Sequence, residues 1–343
     1  RAKKERMGWA SIVVVKIDQG GSDELRITLI DVDSHNFPNL PLMKLSAWHK
    51  QQGDTVEWYD PLFHSMSEPF DKAYMSKVFG FTPDYPYYVN AKEIHKGGSG
   101  YCIQLEGEKE VYDTEKDAML PPEIETIYPD YEIYYDKIPE VKNTAYGFLT
   151  RGCPRGCKFC HVGCKEGRKS YKVANLDTFW REQKNIVLLD PNITACKDWK
   201  GLFQQLIDSK AWIDFSQGLD IRMMTKEKTN MIKKMKIKQV HFAWDRYKDK
   251  EIIVPKFKMF AELTGWGYQK MAVYMLCNFD TTFEQDLERV YILRDLGFNP
   301  YVMLYNKDNI PQENRLRHLQ RWVNNRIIFR TCEKFEEYKK KVI

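Results

Sequence analysis

Four of the eight cysteines of this 343-residue chain crowd into twelve residues, and this cluster constrains fold and chemistry more than any other feature. A disulfide framework spreads its cysteines along a small secreted chain, whereas a tight cluster in a larger chain indicates metal binding. Cys153, Cys157 and Cys160 stand in a C-x3-C-x2-C spacing, beside Gly152 and Gly156. Thiolates that converge from one glycine-containing loop are typical ligands of an iron-sulfur cluster.

The number of thiolates decides what such a cluster can do. Three cysteine ligands leave one iron of a 4Fe–4S cluster open to a substrate or cofactor, whereas four close it for electron transfer. Cys164 is the candidate fourth ligand, which would give a closed cluster or a tetrahedral zinc site. The zinc alternative expects a second Cys-x2-Cys pair, which the sequence lacks. We therefore interpret Cys164 as a bystander.

The region after residue 140 alternates strand and helix patterns. Strand patterns recur about every thirty residues, as in a βαβ repeat, and a helix pattern such as that at 283–296 follows most of them. Six units are fewer than the eight of a closed TIM barrel, so we predict a partial (β/α)6 barrel with functional groups at the carboxyl ends of its strands. The predicted strands are 145–150, 185–189, 212–215, 239–243, 271–276 and 300–304.

A smaller α/β domain is predicted in the first part of the chain. A buried-strand pattern at 25–32, a helix pattern at 40–49 and a strand pattern at 55–59 form a βαβ opening. Strand-like segments at 73–79 and 93–94 precede glycine-containing turns. Strands that alternate with helices favour a parallel sheet, here a flavodoxin-like one.

The domain boundary is predicted near residue 140. Acidic, tyrosine-rich sequence with several prolines fills 101–142, which is typical of a connection between domains. We therefore predict an N-terminal extension at 1–24, the α/β domain at 25–140 and, at 141–343, the barrel with a basic C-terminal segment of helical pattern. No stretch is as long and apolar as a membrane span, and no secretory signal is recognisable, so we expect a cytoplasmic protein that does not enter a membrane.

The cysteine loop resembles the motif of the radical S-adenosylmethionine (SAM) superfamily. The match rests on the C-x3-C-x2-C spacing, on the aromatic Phe159 directly before the last cysteine, and on the position of the loop after the first strand of the (β/α)6 pattern. It covers residues 144–325. The resemblance implies that the open iron binds SAM, that flavodoxin or ferredoxin supplies the electron, and that reductive cleavage of SAM starts radical chemistry on a substrate that the sequence does not identify.

Polar residues at the ends of later strands are candidate SAM contacts, by analogy with cobalamin-dependent radical SAM enzymes and methylthiotransferases. A guanidinium binds a carboxylate in bidentate geometry, so Arg222 is expected to pair with the methionine carboxylate, and Asp190 or Asp220 to accept from the ribose hydroxyls. The alternative is that such residues cap helices or form turns. These candidates are Asp190, Asn192, Gln217, Asp220, Arg222 and Asn278. Phe159 of the cysteine motif is a further candidate, whose ring is expected beside the cluster and whose backbone is expected to face the adenine.

The segment 31–38 resembles the D-x-H-x-x-G loop of cobalamin-binding domains. The resemblance implies that His35 is the lower axial ligand of cobalt and that Asp33 orients its imidazole. It also implies that Gly97 and Gly98 let the cobalamin tail approach the backbone. Pro38 replaces the glycine of the loop, and proline cannot adopt a positive φ. The alternatives are an ordinary loop histidine, a tight glycine turn, and a cobalamin-like fold without the cofactor.

Three functions remain open from the sequence. The first is a radical SAM enzyme that activates a C–H bond or transfers a methyl group through cobalt. The second is a non-catalytic iron-sulfur or zinc module that binds nucleic acid or a protein, although the net charge of +5 alone does not indicate nucleic acid. The third is a radical SAM enzyme whose α/β domain only recognises the substrate. Cys102 alone precedes Cys153, so the three-cysteine auxiliary cluster of methylthiotransferases is not expected.

Overall fold

The computed structural model describes residues 24–106 and 109–342. Nearly all of the predicted extension at 1–24 therefore lies outside the described residues. Two units divide the chain: the first holds the described residues up to Gly147 together with Pro154–Arg168 and Leu176–Gln183, and the second holds Phe148–Cys153, Lys169–Asn175 and 184–342. The chain first passes between the units at 147–148 and passes again on both sides of the cysteine loop.

Strands and helices alternate through the first part of the chain. The described residues up to 147 form β1 (Arg26–Asp31), α1 (Leu40–Gln52), β2 (Thr55–Trp58), α2 (Pro61–His64), β3 (Phe70–Ser76), β4 (Ala91–Gly97), α3 (Ser99–Cys102), β5 (Ile103–Glu106), β6 (Lys109–Tyr112), α4 (Pro122–Glu125) and β7 (Thr144–Gly147). Around the cysteine loop lie β8 (Thr150–Arg151), α5 (Val162–Lys165) and β9 (Tyr171–Lys172).

The remainder of the chain repeats the strand-helix alternation and ends in three helices. Residues 184–342 form β10 (Asn185–Leu188), α6 (Trp199–Asp208), β11 (Trp212–Phe215), α7 (Lys226–Lys234), β12 (Lys236–Ile237), β13 (Val240–Ala243), α8 (Lys250–Thr264), β14 (Met271–Cys277), α9 (Phe283–Asp295), β15 (Asn299–Leu304), α10 (Arg315–Asn324), α11 (Arg326–Thr331) and α12 (Phe335–Val342). Short 3-10 helices lie at Thr114–Lys116, Tyr131–Tyr134, Pro139–Asn143, Leu176–Thr178, Ile193–Ala195, Ile221–Met223, Tyr247–Asp249 and Lys307–Asn309.

Helix α1 shows why the first unit folds where the sequence pattern predicts. Asn39 caps it, because its side-chain oxygen accepts from the N–H of Leu42 at 3.3 Å. Pro41 occupies the first turn, where a missing N–H costs nothing, and Gly53 ends the helix at a φ of +90°. Leu42 and Leu45 bury their side chains against the apolar face of the sheet, and each such burial stabilises the fold by about 1.5–3 kcal/mol.

The sheet of the first unit is parallel, in the order β2-β1-β3-β4. The chain adds β2 on one side of β1 and then β3 on the other, so the direction of sheet growth reverses at β1. Ligands of open α/β sheets bind at the carboxyl ends of the strands beside such a reversal. The loops after β1 and β3 therefore flank the edge of the first unit that is best placed for a ligand.

The segment 101–142 is not the plain connection that its composition indicates. It carries the antiparallel pair β5 and β6 as well as α4, and Tyr131 and Tyr134 are buried. Both hydroxyls are bound: that of Tyr131 donates to the carbonyl of Phe179 at 2.7 Å, and that of Tyr134 to Asp31 at 2.5 Å. Composition alone does not reveal this structure, because a tyrosine buries its ring once its hydroxyl finds a partner.

The second unit contains two runs of parallel strands. In one run β10, β11 and β12 lie side by side, and in the other β13, β14 and β15 do. A parallel bridge between Leu219 and Phe242 joins the runs, and the N–H of Leu219 donates to the carbonyl of His241 at 2.7 Å. The strands predicted at 185–189, 212–215, 239–243, 271–276 and 300–304 are confirmed as β10, β11, β13, β14 and β15.

The strand predicted at 145–150 is wrong in its extent. It breaks into β7 and the two-residue β8, which pairs antiparallel with β9 rather than parallel with a barrel strand. Thr150 faces Lys172 and Arg151 faces Tyr171, so this short pair joins the two ends of the cysteine loop.

Helix α10 covers β15, the edge strand of the second run. It lies in the basic C-terminal segment for which a helical pattern was predicted. The side chain of Asn324 accepts from the N–H of Val302 at 2.8 Å and donates to its carbonyl at 2.9 Å, and Gln320 donates to the same carbonyl at 3.1 Å. These bonds satisfy backbone groups that an open strand edge would leave exposed to pairing with another chain. Among the described helices, none has the length and apolarity that crossing a bilayer requires.

Candidate functional site

Asp190 holds the base of the cysteine loop in the second unit. It lies two residues beyond the end of β10, and its carboxylate accepts from the N–H of Leu149 at 3.1 Å and from both the N–H and the hydroxyl of Thr150, at 2.5 and 2.6 Å. The residue is only 4% exposed. Its oxygens therefore fix the chain three residues before Cys153, and they offer little accessible surface for the predicted ribose contact.

Burial raises the pKa of Asp190 to about 6, although the hydrogen bonds from Thr150 and Leu149 and the charge of Arg151 oppose the shift. The folded protein therefore binds a proton at this carboxylate more tightly than the unfolded chain does. The stabilisation from that proton is complete below the unfolded pKa near 3.8 and is lost as the pH rises through about 6.

We expect the substitution Asp190→Asn to remove this pH dependence. Relative to the variant, the wild-type protein should lose about 2.5 kcal/mol of unfolding free energy between pH 4 and pH 7.5, because a pKa difference of one unit corresponds to about 1.4 kcal/mol and a small part of the loss occurs below pH 4. Urea unfolding of both proteins across this pH range measures the difference. An offset between the two proteins that stays constant with pH would contradict the prediction.

Cys153 receives a hydrogen bond from Asn192, which, like Asp190, follows strand β10. The side-chain N–H of Asn192 donates to the sulfur of Cys153 at 3.4 Å and to the carboxylate of Asp220 at 3.2 Å. Its side-chain oxygen accepts from the hydroxyl of Thr194 at 2.8 Å, and its backbone carbonyl accepts from Ser170 at 2.8 Å. Asn192 is 3% exposed, so the structure places this candidate against a predicted cluster ligand.

Asp220 and Arg222 belong to an ion-pair network that continues from Asn192. Arg222 donates from its Nε to Asp220 at 2.8 Å and from its Nη1 to Asp249 at 3.0 Å. Arg246 donates to the other oxygen of Asp249 at 2.8 Å. Burial alone would raise the pKa of Asp249, but its bonds and charge interactions with Arg246 and Arg222 together lower it. To bind a methionine carboxylate as predicted, Arg222 would have to share or leave this pairing.

Arg246 and Asp249 are site-region residues that the sequence reading missed. They lie just beyond β13, which was correctly predicted, and the spacing Arg246-x2-Asp249 at the start of a helix was the available signal. Side chains three residues apart at a helix start lie on one face and can pair. Their link to Arg222 joins positions far apart in the sequence, and the pattern alone does not predict it.

The two remaining candidates of this unit are exposed. Gln217 lies in the turn after β11, before Gly218. Asn278 follows β14 in the left-handed conformation, with a φ of +66°, and its side chain donates to the carbonyl of Tyr305 at 3.3 Å. Both therefore lie at carboxyl ends of parallel strands, where the barrel pattern predicts them, and their roles as SAM contacts remain predictions.

The rest of the cysteine loop belongs to the first unit. Cys157 and Phe159 are partly buried, and Cys160 is exposed. Gly156 has a φ of +56°, and a Cβ built on it would lie 3.0 Å from the guanidinium carbon of Arg168, so this cation packs directly against the loop.

Helix α5 anchors this part of the loop within its unit. The ammonium of Lys165 donates to the hydroxyl of Ser99 at 2.7 Å and lies 3.9 Å from Asp117. The exposed thiol of Cys164 donates to the carbonyl of His161 at 2.9 Å. This bond is local to the helix, and the interpretation of Cys164 as a bystander stays a prediction.

The donor chemistry of the loop fits an iron-sulfur cluster. None of the eight cysteines, all of which lie in the described residues, forms a disulfide. Within residues 24–106 and 109–342, three or more His, Cys, Asp or Glu side chains are nowhere gathered into a group that would hold a metal ion. The assignment of Cys153, Cys157 and Cys160 to one cluster therefore rests on their spacing and on their thiol ligands, which are the ligands that iron-sulfur clusters take.

The aspartate of the predicted cobalamin loop is bound by backbone groups of its own unit. Both carboxylate oxygens of Asp33 accept backbone N–H groups, from Val78 at 2.6 Å and from Phe79 at 2.9 Å. The aspartate thus ties the loop after β1 to the loop after β3, and the role of His35 as a cobalt ligand stays a prediction. His35 is exposed, with a φ of +51°.

The glycine turn after β4 is likewise explained by packing within the unit. A Cβ on Gly98 would lie 2.4 Å from the carbonyl oxygen of Lys77, and the φ of this glycine is +95°. Its backbone neighbour and its positive φ therefore already require glycine at position 98. Gly97 leaves more room, since a Cβ there would meet Ala118 at 3.8 Å.

Comparisons with known proteins give a fold and no family. No family model matches the sequence, and no curated protein matches it. Among solved structures, the chain is similar to the radical S-adenosylmethionine methyltransferase TsrM from Kitasatospora setae, which was determined with cobalamin and a [4Fe-4S] cluster bound. The TM-score is 0.55 at 11% sequence identity, over 82% of this chain and 75% of that chain. The chain therefore shares a mixed α/β fold, with parallel sheets, with a radical SAM methyltransferase.

Proposed function

We propose that this protein is a radical SAM enzyme in which Cys153, Cys157 and Cys160 hold a 4Fe–4S cluster whose open iron binds SAM. The placement of the cysteine loop carries the proposal. The loop begins directly after β8, and Asp190 at the end of parallel strand β10 fixes the residues before it. Catalytic groups of α/β barrels lie at this end of the strands.

The fold supports the same function. Two parallel runs joined by the Leu219–Phe242 bridge are what an open (β/α)6 barrel would contain, and the order β2-β1-β3-β4 is that of a flavodoxin-like sheet. The similarity to TsrM, at 11% identity, extends this support from single elements to most of the chain. We expect the enzyme to work in the reducing cytoplasm, with flavodoxin or ferredoxin as its electron donor.

The chain's own residues would prepare the site. When bound, the cluster supplies the electron that cleaves SAM into methionine and a 5′-deoxyadenosyl radical. Asp190 fixes the strand end before Cys153, and Asn192 holds the sulfur of Cys153 with an N–H. The ion pairs of Arg222 with Asp220 and Asp249 keep the polar rim rigid. Such preorganised groups need no rearrangement when charge moves at the site.

No step of the proposed reaction passes through cobalamin. Asp33 and Gly98 are engaged by backbone groups of their own unit, and Pro38 replaces the loop glycine. We propose instead that the first unit recognises the substrate at the carboxyl edge of its sheet. Phe79 and Phe81, which follow β3 there, are exposed and stack with ring centroids 5.2 Å apart. An exposed stacked pair is a surface suited to a flat apolar or aromatic group.

Anaerobic reconstitution with iron and sulfide tests the proposed function. With dithionite and SAM, the protein should release 5′-deoxyadenosine and methionine, measured by liquid chromatography and mass spectrometry, and neither product should form without reductant. A preparation without iron, or with a cluster that never cleaves SAM, would instead support the non-catalytic module. After incubation with hydroxocobalamin and desalting, the protein should carry no corrinoid absorbance. A bound corrinoid whose spectrum changes in His35→Ala would instead support cobalamin binding with His35 as axial ligand.

A further inference from the structure

Asn192 is the residue of the second unit whose contacts point most directly at the cluster. Five hydrogen bonds hold it, two from its side-chain N–H group, one to its side-chain oxygen and two to its carbonyl. It is buried, and it lies in none of the regular helices or strands that would explain its place. One of its bonds ends on the sulfur of Cys153, which the proposed function makes a cluster ligand.

The partners of Asn192 fix which end of its amide faces the sulfur. Asp220 is a carboxylate and can only accept, so the group within 3.2 Å of it must be the N–H donor. The hydroxyl of Thr194 donates to the opposite end of the amide at 2.8 Å. Flipping the amide would place its oxygen beside both Asp220 and the thiolate, which disfavours that orientation. The contacts with Asp220 and Thr194 therefore orient the side-chain N–H of Asn192 toward the sulfur of Cys153.

We propose that Asn192 is a positioning residue of Cys153 whose N–H···S bond makes the cluster easier to reduce. The proposal rests on the proposed function and assigns to Asn192 a contact with the protein ligand rather than with SAM. A donor to a cluster sulfur draws negative charge from the thiolate, and hydrogen bonds to the sulfurs are among the factors that set the reduction potential of such clusters. Reduction adds an electron, so the bond favours the reduced state.

The surrounding ion pairs keep this donor effective. Asp220 alone would place a negative charge beside the cluster ligand and oppose reduction. Arg222 balances that charge at 2.8 Å, and Asp249, which holds Arg222 at 3.0 Å, is balanced in turn by Arg246 at 2.8 Å. The side chain of Asp220 is 7% exposed, so solvent screens the pair only weakly. The network therefore delivers an oriented N–H to the sulfur without delivering a net negative charge.

Potentiometric titration of the reconstituted cluster, followed by electron paramagnetic resonance, tests the proposal. In Asn192→Ala the midpoint potential of the cluster should fall. At a fixed potential near the wild-type midpoint, the ratio of reduced to oxidised cluster should decrease tenfold, which corresponds to about 59 mV for a one-electron couple. The paramagnetic resonance signal of the reduced cluster should also change. Asn192→Asp, which keeps the shape but loses the donor and adds a negative charge, should lower the midpoint further than Asn192→Ala does. Thr194→Val, which only releases the amide oxygen, should shift the midpoint less.

Matched variants separate this proposal from a structural effect and from the proposed function. Asn175→Ala removes an exposed asparagine of the same unit that accepts from Gln205 at 3.1 Å, and it should leave the midpoint unchanged. Wild-type midpoint and signal in Asn192→Ala and Asn192→Asp at full iron content would overturn the proposal. If Asn192→Ala loses its iron, an unshifted midpoint in Asn192→Asp and Thr194→Val overturns it. A wild-type protein without a reducible cluster overturns the proposed function instead.

Discussion

Replacing Cys157 by alanine is expected to reduce SAM cleavage to the level of a reaction without protein. The proposed cluster needs three thiolates from this loop, and a thiolate lost from the middle of the C-x3-C-x2-C spacing would leave two, which cannot hold a cubane with one open iron. The same loss is expected for Cys153→Ala and Cys160→Ala. Iron and sulfide content after anaerobic reconstitution, together with the yield of 5′-deoxyadenosine, measure it.

Cys164→Ala is the matched control for these three variants. Cys164 lies four residues after Cys160 in the same loop, is exposed, and gives its thiol hydrogen to a backbone carbonyl. Its replacement should leave iron content and SAM cleavage at wild-type values. A Cys164 variant that loses its cluster would show four cysteine ligands and a closed cluster, which contradicts the proposed activity.

The regular elements of the second unit were predictable because their signal is local. The segments at 185–189 and 271–276 are short runs of apolar residues, and such runs between polar stretches are typical of strands buried on both faces. Their positions follow from the pattern without knowledge of their neighbours. The two-residue strands β8 and β9 carry no such signal, because pairing with each other and not composition makes them strands.

The roles of the rim residues were not predictable from the sequence. The segment Asp190-Pro191-Asn192 allows a turn, a helix cap or a cofactor contact equally well. The structure places Asp190 against Leu149 and Thr150, about forty residues earlier, and Asn192 against Cys153. Which partner a polar side chain finds depends on the tertiary placement of distant elements, and no period along the chain encodes it.

In the first unit, the sequence predicted the location of a motif but not the contacts of its aspartate. The Asp33-x-His35 spacing was correctly placed in a loop after a strand, but the carboxylate of Asp33 ties that loop to the one after β3. Asp33 therefore has a structural role within this unit, while the role of His35 stays a prediction. A motif spacing places residues in a loop, but it does not encode which distant backbone groups its carboxylate binds.

Arg289→Met is expected to destabilise the second unit by about 3–5 kcal/mol. Arg289 and Asp286 of helix α9 form an ion pair in which both side chains are fully buried. The guanidinium also donates to the carbonyl of Trp244, just beyond β13, and to that of Leu276 in β14 at 3.0 Å. Removing it leaves a buried carboxylate and two strand-end carbonyls without their cation, and an uncompensated buried charge costs about this much.

A double-mutant cycle with Asp286→Leu separates the charge from the carbonyl contacts. The double variant should be less destabilised than the sum of the single variants, because it removes the orphaned charge, but it should stay below wild type, since the carbonyls of Trp244 and Leu276 lose their donor. Lys258→Ala, which breaks an exposed pair with Glu262 on α8, should change the unfolding free energy by about 0.5 kcal/mol or less. Urea unfolding followed by circular dichroism measures all four variants. Arg289 connects the carboxyl ends of β13 and β14. If Arg289→Met were as stable as the wild-type protein, this ion pair would not contribute to the stability of these strand ends.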